Sequence, residues 1–441
     1  MPERRVRNGY LTLALALLLI GFGLAAVAYG VSLFRPQAAR PSTPAVDAPS
    51  DSPVERLIPT ATVCTMVAMS TPPTAEAALL NTRTPVGGSV EVHSPTPSHT
   101  AVAVSSWPTS TLAPPAPIAT DIQTEQVTAT GFPTKRVLYT PRERIGFVAP
   151  MRDVDRYNVA QLGAGWHISC QRGQDPVPGA GMECAQLVGF TGGVLASDLA
   201  ALGEVAASNP GRLWLVGNEP DVIWQLNATP EEYAHLYHNV YQLLKEADPT
   251  CQVAIGGISQ VTPVRLRYLE EIMAVYEQSY REPMPVDVWN IHLAILREER
   301  GTWGVDIPPG MPDDVGMLYE IKDNGDIELF KGQVVAFRRW MAERGLRSKP
   351  LIVTEFSILM PPEYGFPTER VQSFMLEAFD FLMTAADEDL GYPQDGNRLV
   401  QRWAWYSVAD TVYATGNLFD PDTGRITALG ETFAAYAASW Q

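Results

Sequence analysis

Eight short apolar runs, separated by longer stretches with helical periodicity, constrain this chain more than any other feature. They are Ile145–Ala149, Trp166–Cys170, Cys184–Phe190, Leu213–Gly217, Gln252–Gly257, Val286–His292, Leu351–Phe356 and Val400–Ser407. Runs of this length that are apolar throughout suit strands covered on both faces, as in parallel sheets. Alternation of such runs with helical segments predicts a parallel α/β fold. Eight is the number a closed (β/α)8 barrel, or TIM barrel, needs, and residues 137–441 supply roughly 300 residues for it. The helices are clearest late in the chain, over Thr229–Ala247, Asp326–Arg344 and Glu369–Ala386. The first opens Thr-Pro-Glu-Glu, which places an N-cap threonine before a first-turn proline and two acids. Gln171–Glu183 is rich in Gly and Pro, so a slight degeneracy of the barrel is expected near strands 2 and 3.

Upstream the chain changes character twice. Residues 1–8 carry Arg4, Arg5 and Arg7, and no charge follows until Arg35. Residues 9–34 are long enough as a helix to cross a hydrocarbon core of about 30 Å. The preceding arginines would hold the N-terminus in the cytoplasm, making this a signal anchor with everything after it outside. Ala26-Val27-Ala28 also has the form of a cleavage site, in which case the domain would be secreted. Residues 35–136 hold 16 of the 37 prolines and much Ser, Thr and Ala without apolar periodicity, which predicts a disordered linker. Such a linker spans about 50–60 Å when flexible. Among four cysteines none has zinc-site spacing. Cys170 and Cys184 could pair in an oxidising compartment, although a strand end and a strand start tend to lie at opposite ends of a parallel sheet.

Two strand ends carry carboxylates. Leu213-Trp-Leu-Val-Gly-Asn-Glu-Pro-Asp221 puts Glu219 after the fourth run, and Pro350-Leu-Ile-Val-Thr-Glu-Phe356 ends the seventh on Glu355. Active sites of such barrels lie at the C-terminal strand ends. Strands four and seven occupy opposed parts of the rim, so the two acids can face each other across one glycosidic bond, as glycoside hydrolysis requires. Asn218-Glu219-Pro220 together with Thr354-Glu355 resembles clan A of the retaining glycoside hydrolases. Within it, the endo-β-glucanase "glycosyl hydrolase catalytic core" family and the xylosidase-like families are similar in the order and spacing of these motifs over residues 140–441. The resemblance implies that Glu219 is the acid/base, Glu355 the nucleophile, and Asn218 a ligand of the sugar hydroxyl beside the scissile carbon. It also implies retention, with carboxyl groups about 5–5.5 Å apart. That cycle asks Glu219 to hold its proton at rest beside a charged Glu355.

The remaining candidates would bind sugar. His292, ending strand six, resembles the clan's histidine that touches substrate or nucleophile; two residues on, Ala294 stands where an aromatic residue is common. At the end of strand eight, Trp405 is the preferred stacking platform, with Tyr406 on the opposite strand face. His167 near strand two is a further candidate. The long connection Arg297–Asp323 carries Trp303, which could line a groove with Tyr364 and Phe366.

Several classes are excluded. A formal net charge of −17 argues against nucleic acid. No phosphate-cradling glycine motif supports a nucleotide. Glu232, His235 and His238 have no matching Glu-x-x-His on another helix, so no metal is implied, and no organic cofactor either. The expected partners are therefore a poly- or oligosaccharide substrate and, through residues 9–34, the membrane. A carbohydrate-binding or cell-wall scaffold protein on an inactive barrel and a transglycosylase are the alternatives.

Overall fold

The computed structural model describes residues 138–150, 154–169, 181–191, 194–195 and 199–440. The expected anchor (9–34), linker (35–136) and Cys170 lie outside them. Among the described residues no helix is long and apolar enough to cross a membrane.

Eight parallel strands form one sheet: β1 Ile145–Ala149, β2 Trp166–Ser169, β3 Glu183–Val188, β4 Leu213–Val216, β5 Gln252–Ile255, β6 Trp289–His292, β7 Leu351–Phe356 and β8 Arg402–Trp405. Their order, β5-β4-β3-β2-β1-β8-β7-β6, wraps the sheet around. Parallel single-residue bridges, Ala254 to Val288 and Ile258 to Ile291, close the seam between β5 and β6. The barrel is thus as expected, but its loose seam lies there. β2 and β3 pair continuously from Trp166–Glu183 to Ser169–Gln186, and the connection between them, where a missing helix was the expected degeneracy, lies outside the described residues up to position 180. After β1 the described chain makes only 3₁₀ turns; helices follow β3 to β8, beginning with α2 Leu199–Ala207, while a one-turn α1, Pro141–Arg144, precedes β1.

The four long helices are α3 Pro230–Ala247, α4 Pro263–Tyr280, α5 Ile327–Glu343 and α6 Thr368–Thr384, with α7 Ala428–Ala438 closing the ring. The start of α3 follows its sequence: Thr229 and Glu232 exchange bonds in a complete capping box with Pro230 at N1. Glu232 is therefore occupied as a cap. His235 and His238 hydrogen-bond to the hydroxyls of Tyr280 and Tyr276 on α4.

Strand alternation sorts the aromatic residues. Trp403 and Trp405 face the helices, packed on Phe379 of α6, and Trp405 also meets Phe356. On the inner face of β8, Arg402 lies over the Trp166 ring. Trp166 occupies space that only a glycine leaves at position 146, where a Cβ would sit 2.4 Å from the indole nitrogen.

Candidate active site

The loop after β4 delivers Glu219. β4 ends at Val216, and Gly217 takes a positive φ of 85°, so the turn begins before Pro220 rather than at it. Glu219 itself has φ 40°, a left-handed conformation costly for a side-chain-bearing residue. Its neighbours hold it there. The Glu219 amide donates to the Gly257 carbonyl at 3.1 Å. Two residues on, fully buried Asp221 accepts from the amide and hydroxyl of Ser259 and pairs with Arg265 of α4. Arg265 also binds Glu298 at 2.7 Å and donates to the carbonyls of Val305 and Asp306. One buried guanidinium thus ties the Glu219 loop to a helix and to the connection after β6. A buried charge is stable only when so fully paired.

β7 delivers Glu355 through an irregularity. Ile291 of β6 pairs with Val353, yet the next residue, His292, pairs with Glu355. On the other side Trp403 pairs with Val353 and Trp405 with Phe356. β7 therefore carries one residue more than either neighbour, a bulge around Thr354–Glu355. Bulges re-aim side chains beside active sites. Here Phe356 remains on the helix side, against Phe330 of α5, while Glu355 enters the site. The Thr354 hydroxyl donates to the Asn290 amide oxygen at 2.7 Å, fastening the bulge to β6.

His292 joins the two acids. Its Nδ1 is 3.0 Å from Glu219 Oε1 and 3.9 Å from Glu355 Oε2. One carboxylate oxygen from each glutamate and a His292 nitrogen all lie within 4.8 Å of one another. Three such ligands could also close on a divalent cation. His292 fits because position 257 is glycine: a Cβ there would fall 2.4 Å from its ring carbon Cδ2. Gly257→Ala is expected to displace His292 and lower turnover about 100-fold, with the circular dichroism spectrum unchanged. Unaltered kinetics would show that His292 placement is immaterial.

Burial and charge act together on these groups. Burial pushes the Glu355 carboxyl up to about 8; His292 draws it down, and the charges of Glu219 and Asp410 raise it further. Oε1 of Glu355 is buried without a hydrogen-bond partner among the described residues. For His292, burial opposes the charge, but Glu355 and Glu219 outweigh it and hold its pKa above the ordinary value. In the free protein, then, the group pushed to keep a proton is Glu355, whereas the sequence assigned the resting proton to Glu219. His292 lies between the two carboxyls.

Of the other expected residues, Tyr406 reaches this region and Trp405 does not. Tyr406, joined to Ser407 by a cis peptide, donates to Asp410 Oδ2 at 2.6 Å. Burial and the charges of Glu355 and Asp410 raise its pKa. Trp405 is fully buried on the helix side, its Nε1 donating to the Gly416 carbonyl, so it is a core residue and no sugar platform. His167 is also removed from the site: it stacks on Phe147 of β1, on the face opposite Trp166. Asn218 is half-buried next to Glu219. Trp303 and Phe366 line one cavity beside the site, as their loops suggested, and Tyr364 is not among its lining residues. The space around Glu219, His292 and Glu355 is bounded by Ala294, Ser357 and Leu359 and amounts to about 10 Å³. Asp410, Arg265 and Glu298 were missed by sequence reasoning. Asp410 follows β8 without any motif, and the other two are ordinary helix and loop charges until the fold buries them.

No family model and no curated protein matches the chain. Among solved structures, a GH128 (subgroup II) endo-β-1,3-glucanase from Sorangium cellulosum is similar at 18% identity, with 66% of this chain and 98% of that one covered and a TM-score of 0.44. A GH128 (subgroup I) endo-β-1,3-glucanase from Amycolatopsis mediterranei, in complex with laminaritriose, shows 15% identity, 66% and 98% coverage and a TM-score of 0.45. A family 39 glycoside hydrolase from the gut symbiont Bacteroides cellulosilyticus shows 12% identity, 69% and 65% coverage and a TM-score of 0.40. These neighbours are glycoside hydrolases. The carboxyl pair, rather than these likenesses, carries the functional reading.

Proposed function

We infer that this chain is a retaining glycoside hydrolase acting on a β-linked polysaccharide. The observation that carries the reading is the pair of buried carboxyls from β4 and β7, one oxygen of each lying within 4.8 Å of the other. So close an approach suits a retaining pair, in which one carboxylate attacks directly, better than an inverting pair spread to admit a water. Glu355 attacks the anomeric carbon while Glu219 protonates the leaving oxygen, and Glu219 then activates the water that releases the sugar. Before attack, the proton favoured on Glu355 has to pass to Glu219, and His292 Nδ1, near both, offers the path. Asn218 and Tyr406 meet the sugar in this reading, which their positions beside Glu219 and near Glu355 support.

Residues 9–34 tether this domain outside the cell membrane through the linker, a reading supported by the charge pattern and composition of residues 1–136. Proton NMR of a β-glycan digest tests the mechanism. The first product resolved should carry the β configuration, and a chelator should leave the rate unchanged. An α product appearing first would refute attack by Glu355. Activity lost to the chelator and restored by a divalent ion would instead assign Glu219, His292 and Glu355 to a metal.

A further inference from the structure

A second cavity adjoins the carboxyl pair on the side of β7 and β8. Its volume is about 470 Å³, within the range of small-molecule sites. Trp303, Phe366, Tyr413 and Leu429 form its walls, and Val412, 55% exposed, stands on its lip. Leu359 lines both this cavity and the catalytic one, so it is the partition between them.

The chemistry of the lining favours an apolar occupant over a sugar ring. No charged side chain among the described residues lines it. Two of its polar groups are already engaged: the Asn417 amide exchanges bonds with the Asp410 backbone, and the Thr427 hydroxyl donates to the Asn417 carbonyl. A pyranose placed there would lose the water on its hydroxyls with few side-chain partners, chiefly the Thr368 and Thr415 hydroxyls, to replace it. An alkyl chain or aromatic ring would gain by the transfer.

We propose that this cavity takes the apolar aglycone of an amphiphilic glycoside, whose glycosidic bond is presented to Glu219 and Glu355 once Leu359 moves, the present space of about 10 Å³ around the acids being too small for a sugar ring. The proposal rests on the hydrolase reading for the position of the sugar, but not for the existence of the pocket. Turning Leu359 aside joins the two spaces and seats the glycosidic oxygen at their junction.

Calorimetric titration of the full chain with methyl β-glucoside, octyl β-glucoside (below its micelle concentration) and 1-octanol tests this. Octyl β-glucoside should bind at least about tenfold more tightly than the methyl compound. Two variants at exposed positions challenge the pocket without touching the core: Val412→Asp charges the lip, and Ala428→Phe fills the space from α7. Each should reduce octyl binding about tenfold and leave methyl binding unchanged. Equal affinity for the two glucosides, or octyl binding indifferent to both variants, overturns the proposal. If 1-octanol binds and both variants weaken it while no glycoside is ever cleaved, the pocket stands and the hydrolase reading fails.

Discussion

Glu355→Ala lowers hydrolysis of a responsive β-glycan by about 10⁴-fold or more, the loss expected when a covalent nucleophile is removed. The expected result is specific because the defect can be chemically rescued. Alanine leaves a void on the face from which Glu355 attacks, where Oε1 has no hydrogen-bond partner among the described residues. Azide entering that void displaces the leaving group once and yields a glycosyl azide of inverted, α configuration. In Glu219→Ala, assayed with a substrate whose leaving group needs no proton, azide intercepts the glycosyl-enzyme and yields the β azide. A screen of glycans with the wild type and both variants, followed by product analysis, separates the two roles. Activity of Glu355→Ala within tenfold of wild type on every cleaved glycan removes this residue from the chemistry. An α azide from Glu219→Ala reverses the assignment of roles.

Glu355→Gln stabilises the protein, and the gain depends on pH. The ordinary carboxyl value is 4.5, and burial raises it to about 8 in the folded protein. Below 4.5 both folded and unfolded chains hold the proton, and the residue is neutral in stability. Between 4.5 and 8 the unfolded chain has released its proton and the folded one has not, so folding stability falls as pH rises. Above 8 the loss is complete and constant. Glutamine mimics the protonated acid and escapes this loss. The variant should gain on the order of 2–4 kcal/mol at pH 7, or a rise in Tm of about 5 °C or more, and almost nothing at pH 4. Melting curves of both proteins from pH 4 to pH 9 check it. A difference between them that does not change with pH would mean that Glu355 ionises in the folded state as it does in the open chain.

The barrel was legible because buried parallel strands leave a dense apolar signal, and seven of the eight runs contain the observed strand in full. The third run begins at Cys184, whereas β3 starts one residue earlier, at Glu183. The acids were legible because Asn218-Glu219-Pro220 and Thr354-Glu355 lie at strand ends whose place on the rim follows from counting. What failed was finer than a strand. Alternation separated Trp405 from Tyr406 correctly, but no feature of Trp403-Ala404-Trp405-Tyr406 says which face is the interior, and tryptophan's larger surface favoured the wrong one. His167 failed for the same reason, since its neighbour Trp166 took the inner face by virtue of Gly146. The Asp221–Arg265–Glu298 contact spans 77 positions, and only the fold reveals it. The partition of charge between the two glutamates depends on burial and distance, which no motif encodes.

The extra residue in β7 means that the orientation of Glu355 is a matter of counting rather than of identity. A natural relative whose neighbouring strands paired with this segment one for one, without the bulge, could keep a strand-end glutamate and every neighbouring motif, yet turn that acid, like Val353, toward the hydrocarbon packing behind the sheet. Such a protein would pass any inspection of its letters and lack the reactive group. For chains built like this one, the length of the segment between two paired neighbours is as much an active-site character as the carboxylate it carries.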